Sequence, residues 1–260
     1  MSTSQLRKHE RLRSRVLRNQ RDLVVYLPPG YDDEPWRRYP VLYMQDGQNL
    51  FDRATAFGGV DWNIQGAADP LIHSGDVEPL IIVGIYNAGK SRIPEYTPTK
   101  APKLGGGRAD RYAKFLLQEV MPFVQDQYRT LADSSATGIG GSSLGGLVSL
   151  YIGLRHPKTF GRIAALSPSV WWHQRAILRF AQAAPVPPRP RIWLDVGTRE
   201  GQRTVPDVEL FRDLLVRKGW KLGEDLHHQV FEGAAHNEAA WSQRVGPFLQ
   251  FLYPAADTKV

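Results

Sequence analysis

A serine flanked by small residues is the first feature of this sequence that could carry out chemistry. Residues 141–145 read GSSLG, which matches the pattern G-x-S-x-G. A short apolar run (136–140) precedes the motif, and an apolar run of helical character (146–152) follows it. Between a strand and a helix, this pattern forms a tight, strained turn that exposes a nucleophilic serine. Only Ser143 has glycine both two residues before and two residues after it, so we predict Ser143 as a nucleophile. A Gly/Ser-rich surface turn is the alternative.

A serine hydroxyl is a weak nucleophile at neutral pH and needs a base. Of the seven histidines, His236 differs from the others because it lies in a loop of small residues directly after the last predicted strand (228–231). A loop in that position lies over the carboxyl edge of a parallel sheet, where the serine turn also points. We therefore predict His236 as the general base.

The base in turn needs a carboxylate that fixes its tautomer and stabilises its protonated form. Glu200 lies on a turn after the penultimate predicted strand (192–196), from which it can reach a loop that follows the last strand. Two alternatives remain open. Asp195 lies within that strand and could be a structural hydrogen-bonding group, and Asp207 is a candidate helix cap. We favour Glu200, which gives the chain order serine, acid, histidine that is found in α/β-hydrolases.

Acyl transfer from an ester passes through an oxyanion that two backbone N–H groups usually stabilise. Leu144, directly after Ser143, supplies one of them in this motif. The second normally comes from the loop after an early strand, which here reads QDGQN at 45–49. Gly47 permits a tight turn in this loop, so the N–H of Gln48 is the predicted second donor. A simple Asp-Gly turn is the alternative.

The elements that must position these residues follow from the periodicity of the apolar residues. Strands alternate with helices throughout the second half of the chain, which predicts a mostly parallel sheet covered by helices on both faces. With 260 residues, the chain is expected to form a single α/β domain over 1–260. The predicted strands are 41–44, 80–85, 136–140, 163–166, 192–196 and 228–231, and the main predicted helices are 64–73, 110–128, 208–218 and 241–252.

Positive charge is concentrated near the N-terminus. The formal net charge is +7, and residues 7–21 contain seven Lys or Arg against Glu10 alone. Between 11 and 16, arginines alternate with less polar residues, as on a strand with one solvated face. We predict an antiparallel hairpin with a turn at Asn19-Gln20 and a returning strand at 23–27, in which the arginines protect the sheet edge. A basic arm that binds nucleic acid is the disfavoured alternative.

Composition excludes several kinds of site. The absence of cysteine excludes disulfides, thiolate metal sites and a cysteine nucleophile. No His/Asp/Glu spacing resembles a zinc site, because the adjacent His227 and His228 would point to opposite faces of a strand. We therefore expect no metal and no other cofactor. No apolar run approaches the roughly 20 residues of a membrane span, and no secretory signal is evident, so we expect a cytoplasmic protein without membrane contact.

Five segments taken together resemble the esterase D / enterochelin-esterase-like family of α/β-hydrolases. They are YMQDGQNLF at 43–51, EYTP at 95–98, GSSLGG at 141–146, SPSVWW at 167–172 and GAAHN at 233–237. The resemblance implies an α/β-hydrolase fold that hydrolyses carboxylic esters without a metal, with Ser143, Glu200 and His236 as the catalytic triad. In the predicted oxyanion loop the chain has Asp46-Gly47, whereas many α/β-hydrolases have His-Gly there. The mycolyltransferase branch of the family also has Asp-Gly at this place. It has Glu200 where several relatives have aspartate.

We therefore expect a serine carboxylesterase that acts on a small-molecule ester through an acyl-enzyme. Two alternatives share this chemistry, namely a siderophore trilactone hydrolase of the enterochelin type and a feruloyl or acetyl carbohydrate esterase. A non-catalytic binding protein is the alternative outside enzymes. Arg92 or Trp172 could grip an acidic or catecholic ligand, and the full set of candidate substrate-binding residues is Trp62, Arg92, Trp171 and Trp172. The substrate does not follow from the fold, because related folds act on many esters.

Overall fold

A computed structural model describes residues 3–255 of the chain. Eight strands form one sheet, and a two-stranded ribbon lies outside it. The strands of the sheet are β1 (Gln5–Ser14), β2 (Asn19–Leu27), β3 (Val41–Gln45), β4 (Ile81–Ile85), β7 (Thr137–Ser142), β8 (Arg162–Leu166), β9 (Arg191–Arg199) and β10 (Leu226–Ala235), and those of the ribbon are β5 (Lys100–Ala101) and β6 (Gly105–Gly106). The sheet has the order β1-β2-β4-β3-β7-β8-β9-β10. Its first two pairings are antiparallel and the others are parallel.

Helices connect most of the parallel strands. They are α1 (Ile64–Ser74), α2 (Arg92–Tyr96), α3 (Ala109–Phe115), α4 (Met121–Gln127), α5 (Leu144–Arg155), α6 (Trp172–Ala183), α7 (Thr204–Arg217), α8 (Glu238–Ser242) and α9 (Val245–Leu252). Short 3₁₀ turns lie at Gly47–Asn49, Phe57–Gly59, Gly89–Ser91 and Ser134–Ala136. No helix within residues 3–255 combines the length and the hydropathy that a membrane-crossing segment needs.

Alternate side chains of the strands enter two hydrophobic cores, one on each face of the sheet. Along β3, for example, Tyr43 belongs to one core and Met44 to the other. Side chains from α3 to α7 fill the first core, and side chains from α1 and α9 fill the second. The predicted α/β-hydrolase fold, with a mostly parallel sheet covered on both faces and an antiparallel N-terminal hairpin, is confirmed.

The parallel strands end at a common edge of the sheet, and this edge collects the predicted site residues. Gln48 follows β3, Ser143 follows β7, Glu200 follows β9 and His236 follows β10. Crevices at the carboxyl ends of parallel strands are the usual position of ligand sites in α/β proteins. Residues that are far apart in sequence are therefore neighbours here.

The N-terminal hairpin lies at the edge of the sheet, as predicted, with β1 paired to β2. The predicted position of its turn is wrong, because the turn covers 15–18 and Asn19 already pairs with Ser14. The carboxylate of Glu119 supports the observed turn by accepting hydrogen bonds from the backbone N–H groups of Arg15 (2.8 Å) and Val16 (3.2 Å). This acceptor belongs to a distant helical segment, so local sequence does not reveal it.

Two predicted helices differ from those in the structure. The helix predicted over 110–128 contains a π-helical turn at Leu116–Val120, between α3 and α4. The helix predicted over 241–252 is divided, because a turn at 243–244 separates α8 from α9. Pro247 lies in the first turn of α9 and lacks the N–H that would continue the helix from α8. Arg244, at the break, is fully buried.

One glycine determines how closely the loop after β3 approaches β4. A Cβ atom at Gly47 would lie 2.3 Å from the carbonyl carbon of Gly84 and 2.5 Å from the amide nitrogen of Ile85. Both are backbone atoms of a buried strand in a close-packed interior, so they cannot easily move aside. The position of Gln48 therefore depends on glycine at position 47.

Replacing this glycine tests the close approach. We expect Gly47→Ala to lower the free energy of unfolding by about 3 kcal/mol, the upper end of the usual cost of overpacking. In thermal melts this corresponds to a fall in Tm of roughly 6–12 °C for a chain of this size. Gly246→Ala in α9 is the control, since its Cβ would meet no atom closer than 3.5 Å, and alanine favours the helix. An unchanged Tm for Gly47→Ala would contradict the packing argument.

Candidate active site

The serine of the G-x-S-x-G motif lies between β7 and α5 in a strained backbone conformation. Ser143 has φ 57° and ψ −122°, which non-glycine residues rarely adopt. Its N–H donates to the carbonyl of Leu166 (3.0 Å), and its carbonyl accepts from the N–H of Ser169 (3.0 Å). Glycine at 141 allows a close approach, because a Cβ there would lie 2.9 Å from Gln45 Cβ and 3.0 Å from the carbonyl carbon of Gly145. The turn therefore has the features of a nucleophile elbow.

Ser143, His236 and Glu200 form a row of hydrogen-bonded side chains. His236 Nε2 lies 2.9 Å from Ser143 Oγ, and His236 Nδ1 lies 3.0 Å from Glu200 Oε2. The imidazole ring also meets Trp241 edge-on, with the ring centroids 4.9 Å apart. A neutral imidazole with its proton on Nδ1 would donate to Glu200 and present the lone pair of Nε2 to the serine hydroxyl. The structure thus brings these three predicted residues together.

Glu200 is held in place by several donors. Its side chain is fully buried, and its Oε1 accepts from Ser167 Oγ (2.6 Å), the N–H of Gly197 (2.7 Å) and Arg244 Nη2 (3.2 Å). Burial alone raises the pKa of Glu200, but hydrogen bonds from His236, Ser167 and Gly197 outweigh this effect and lower the pKa below its ordinary value. Glu200 is therefore ionised at neutral pH and can stabilise a protonated imidazole.

Asp195, the alternative acid, has partners other than His236. It is fully buried and accepts hydrogen bonds from Arg244 Nη1 (2.5 Å), Trp193 Nε1 (2.6 Å) and the N–H of Ser167 (3.1 Å). Burial raises the pKa of Asp195 to about 6, against the opposing effect of Arg244. These contacts engage both carboxylate oxygens of Asp195 and favour a structural role for it.

A buried guanidinium joins the two carboxylates. Arg244 Nη1 binds Asp195 and Nη2 binds Glu200, and the side chains of all three residues are fully buried.

The third candidate acid, Asp207, forms its ion pair outside this network. It lies in the first turn of α7 and pairs with Arg175 Nε at 2.6 Å, and the N-cap position is occupied by Arg203. The prediction of Asp207 as a helix cap is therefore wrong.

The two predicted oxyanion donors both lie in first turns of helices, where N–H groups have no acceptor within the helix. Leu144 is the first residue of α5, and Gln48 lies in the 3₁₀ turn Gly47–Asn49. Asp46 turns the chain from β3 into this 3₁₀ turn with left-handed dihedrals (φ 55°, ψ 46°), and its own N–H donates to the Tyr96 hydroxyl (3.2 Å). Gln48 lines the same cavity as Ser143.

A cavity of about 340 Å³ opens beside Ser143 and His236. This is near the lower end of the volumes typical for ligand sites. Phe57 lies at its exposed side, and Arg92 is held within the wall by two hydrogen bonds to Asp46, of 2.9 and 2.7 Å. The remaining lining residues are mainly polar or aromatic: Gln48, Asn49, Asn87, Ser142, Glu238 and Trp241.

The three tryptophans predicted to bind substrate do not line this cavity. Trp62 and Trp172 are each 2% exposed. Trp62 packs with its ring 5.9 Å from that of Trp241, and Trp172 donates its indole N–H to the carbonyl of Thr99 (2.9 Å). Trp171 is 47% exposed but lies outside the wall. The core takes the rings of Trp62 and Trp172, so neither ring forms part of the cavity wall.

Several residues around the site were not predicted, and three of them follow His236 in the chain. Glu238 and Trp241 line the cavity, Arg244 binds Glu200, and Ser167 donates to Glu200. Pro247 is the sequence signal that could have indicated the break near Arg244. Nothing in the local pattern distinguishes Glu238 from a solvated residue at the start of a helix.

Comparison with known proteins assigns the family. A family model described as "Putative esterase" matches residues 14–251. The chain belongs to this esterase family. The iron(III) salmochelin esterase of Escherichia coli is 29% identical over 85% of this chain, and the endo-1,4-beta-xylanase/feruloyl esterase of Xylanibacter ruminicola is 28% identical over 88%. The match covers 51% and 29% of those two proteins, respectively.

Solved structures support the fold. An IroE-like serine hydrolase from Shewanella oneidensis superposes with a TM-score of 0.77 at 23% identity, covering 96% of this chain and 80% of that one. With the family assignment, the protein is a carboxylic ester hydrolase, and the alternative of a non-catalytic binding protein is set aside. The predicted membership of an esterase family is confirmed.

The two candidate acids can be separated by isosteric substitution. We expect Glu200→Gln to lower kcat for ester hydrolysis by roughly 10³–10⁴, because the amide would hold the imidazole in the wrong tautomer. Asp195→Asn should change kcat far less, but its amide N–H₂ would face the Trp193 N–H. The free energy of unfolding should therefore fall by about 1–3 kcal/mol. Steady-state kinetics and urea unfolding of both variants measure these effects. The reverse pattern in kcat would make Asp195 the catalytic acid.

Proposed function

We propose that this protein is a serine carboxylesterase that hydrolyses small carboxylic esters through an acyl-enzyme on Ser143. The observation that carries the proposal is the row of contacts from Ser143 Oγ through His236 to Glu200, with distances of 2.9 and 3.0 Å. In this proposal Ser143 is the nucleophile, His236 is the general base and acid, and Glu200 is the triad acid.

In the first half of the reaction, Ser143 Oγ attacks the carbonyl carbon of the ester while His236 Nε2 takes the hydroxyl proton. The carbonyl electron pair moves to its oxygen, and the N–H groups of Leu144 and Gln48 are the proposed donors to this oxyanion. When the tetrahedral intermediate collapses, the bond to the alcohol oxygen breaks, and His236 returns the proton to that oxygen. Glu200 stabilises the imidazolium while it exists.

In the second half, a water molecule attacks the acyl carbonyl while His236 Nε2 takes a proton from it. The bond between Ser143 Oγ and the acyl carbon then breaks, and Oγ recovers the proton from His236. The products are the carboxylic acid and the alcohol. Side chains, backbone N–H groups and water supply every step of this mechanism.

The relatives include esterases named for siderophore and feruloyl substrates, so the choice of ester rests on the cavity. Trp172, one candidate for holding a catecholic ligand, is buried. Arg92, the candidate for holding an acidic ligand, already binds both carboxylate oxygens of Asp46. These contacts disfavour an anionic siderophore, and we favour small esters without negative charge.

Removal of the nucleophile tests the mechanism. We expect Ser143→Ala to lower kcat for p-nitrophenyl acetate by about 10⁴–10⁶ and to abolish labelling by a fluorophosphonate probe, because the attacking atom is gone. The Tm should change little.

EDTA should leave turnover of the native enzyme unchanged, since the mechanism uses no metal.

The neighbouring serine provides the control for the reading frame of the motif. Ser142→Ala should still be labelled by the probe, with the adduct on Ser143 in peptide mass spectrometry. Substantial turnover by Ser143→Ala, or an adduct on another residue, would refute the assignment. Rates on short acyl, feruloyl and trilactone esters would then rank the substrate classes for the native enzyme.

A further inference from the structure

The wall of the cavity beside Ser143 has one more negative than positive group when His236 is neutral. Among the described residues that line the cavity, Arg92 is the only one with a lysine or arginine side chain. Both oxygens of Asp46 bind the guanidinium, at 2.9 and 2.7 Å, so this ion pair is neutral overall. Glu238 is the charged group that remains.

Glu238 is fixed rather than freely solvated. It is the first residue of α8, directly after the N-cap Asn237, and it is 9% exposed. Its Oε1 accepts a hydrogen bond from Asn49 Nδ2 (3.1 Å), and Asn49 Oδ1 accepts from the N–H of Phe57 (3.0 Å). The side chain of Asn49 therefore links the carboxylate of Glu238 to the backbone of the loop that carries Phe57.

The charge of Glu238 is incompletely compensated. Among the described residues 3–255, Glu238 forms no ion pair. The salt bridges beside the cavity join Arg92 to Asp46 and His236 to Glu200. Burial raises the pKa of Glu238, and the nearby charge of Asp46 acts in the same direction. Its own backbone N–H, His236 and Arg92 act in the opposite direction. A buried carboxylate without a cationic partner is unfavourable, and a cationic ligand would relieve this cost.

Two aromatic rings complete the surroundings. Phe57 and Trp241 line the same cavity as Glu238, and Phe57 is 77% exposed. The face of an aromatic ring attracts an ammonium group that lies within about 6 Å of its centroid. A carboxylate and aromatic side chains around one cavity are suited to an alkylammonium group.

We propose that Glu238 selects esters that carry an alkylammonium group close to the scissile bond over neutral and anionic esters of the same shape. The inference rests on the proposed function, because it concerns the substrate that Ser143 attacks. It names a specificity-determining residue and a substrate class, and it leaves the order of the chemical steps unchanged.

The test uses activated esters with the same chain of three methylene groups between the acyl carbon and a terminal group of different charge. The cationic and neutral members of the set are matched in shape. The set comprises the p-nitrophenyl esters of 4-(trimethylammonio)butanoate (cationic), 5,5-dimethylhexanoate (neutral, with carbon in place of nitrogen) and glutarate (anionic). The kcat/KM of each ester is measured at pH 8 and low salt and divided by its rate with hydroxide. We expect kcat/KM for the cationic ester to exceed that for the neutral ester at least about fivefold, which is the effect of opposite charges about 4 Å apart even in bulk water. The anionic ester should be slower than the neutral one.

The alcohol side is tested in the same way with acetylcholine and its neutral isostere 3,3-dimethylbutyl acetate, as competitors of p-nitrophenyl acetate. A preference for the cation in either pair supports the proposal, and the absence of a preference in both overturns it. In the native enzyme the preference should also weaken at 1 M NaCl, where charges are screened within about 3 Å. A preference that salt leaves unchanged would likewise contradict a role for charge.

Two matched variants assign the effect to one residue. Glu238→Gln keeps the size of the side chain and an oxygen acceptor for Asn49, so the ratio of cationic to neutral kcat/KM should fall to about 1. Glu232→Gln removes the same charge from an exposed position on β10, outside the cavity, and should leave the ratio unchanged. An unaltered ratio in Glu238→Gln overturns the proposal. If that variant does not fold, the salt dependence of the native enzyme decides.

Ser143→Ala, assayed on the neutral ester, separates this inference from the proposed function. Continued hydrolysis by Ser143→Ala would refute the proposed function. If Ser143→Ala is inactive and the native enzyme does not distinguish the charges, only the selectivity assigned to Glu238 fails.

Discussion

The backbone of Ser143 is the constraint on which the site depends. A serine at φ 57° and ψ −122° stores strain of order 1–3 kcal/mol, and it persists because the surrounding elements leave it no other position. Its N–H donates a hydrogen bond to the carbonyl of Leu166 at the end of β8. Its carbonyl accepts hydrogen bonds from the N–H of Ser169, in the loop after β8, and from the N–H of Leu147 in α5. Strand β7 contains three glycines, so α5 and β3 can lie close to it. The start of α5 and the 3₁₀ turn after β3 consequently border the same cavity.

Next to His236, one buried arginine compensates the charges of two buried carboxylates. Asp195 and Glu200 are both buried, and two neighbouring carboxylates without a cation would force one of them to take up a proton. Arg244 lies between them and is itself fully buried. Because Glu200 Oε1 accepts from Ser167, Gly197 and Arg244, Oε2 remains for His236. The orientation of the imidazole is thus tied to the core through a chain of charged and hydrogen-bonded groups.

A single segment after β10 supplies both the proposed base, His236, and two further residues of the cavity wall. His236 precedes the N-cap Asn237, and Glu238 and Trp241 follow on α8. Trp241 meets the imidazole edge-on and donates its indole N–H to Ser167 Oγ (3.0 Å). The position of the histidine and the shape and charge of the cavity are therefore coupled through one short helix, so a change in this helix would affect turnover and substrate choice together.

The sequence by itself determined the strands of the parallel sheet, most of the longer helices and their order. It also singled out the turn at Ser143 and the residues His236 and Glu200 as candidates, because apolar periodicity and small-residue turns are local properties. It could not locate Arg244, Glu238 or the interior positions of Trp62 and Trp172. Whether a tryptophan faces a ligand or the core, and whether an arginine is free or paired as Arg92 is with Asp46, depends on contacts between segments far apart in the chain. The hairpin turn shows the same limit, because the acceptor that fixes it is Glu119. Only the folded sheet decides these points, since it brings the ends of β3, β7, β9 and β10 to one edge and sets the charges there against one another.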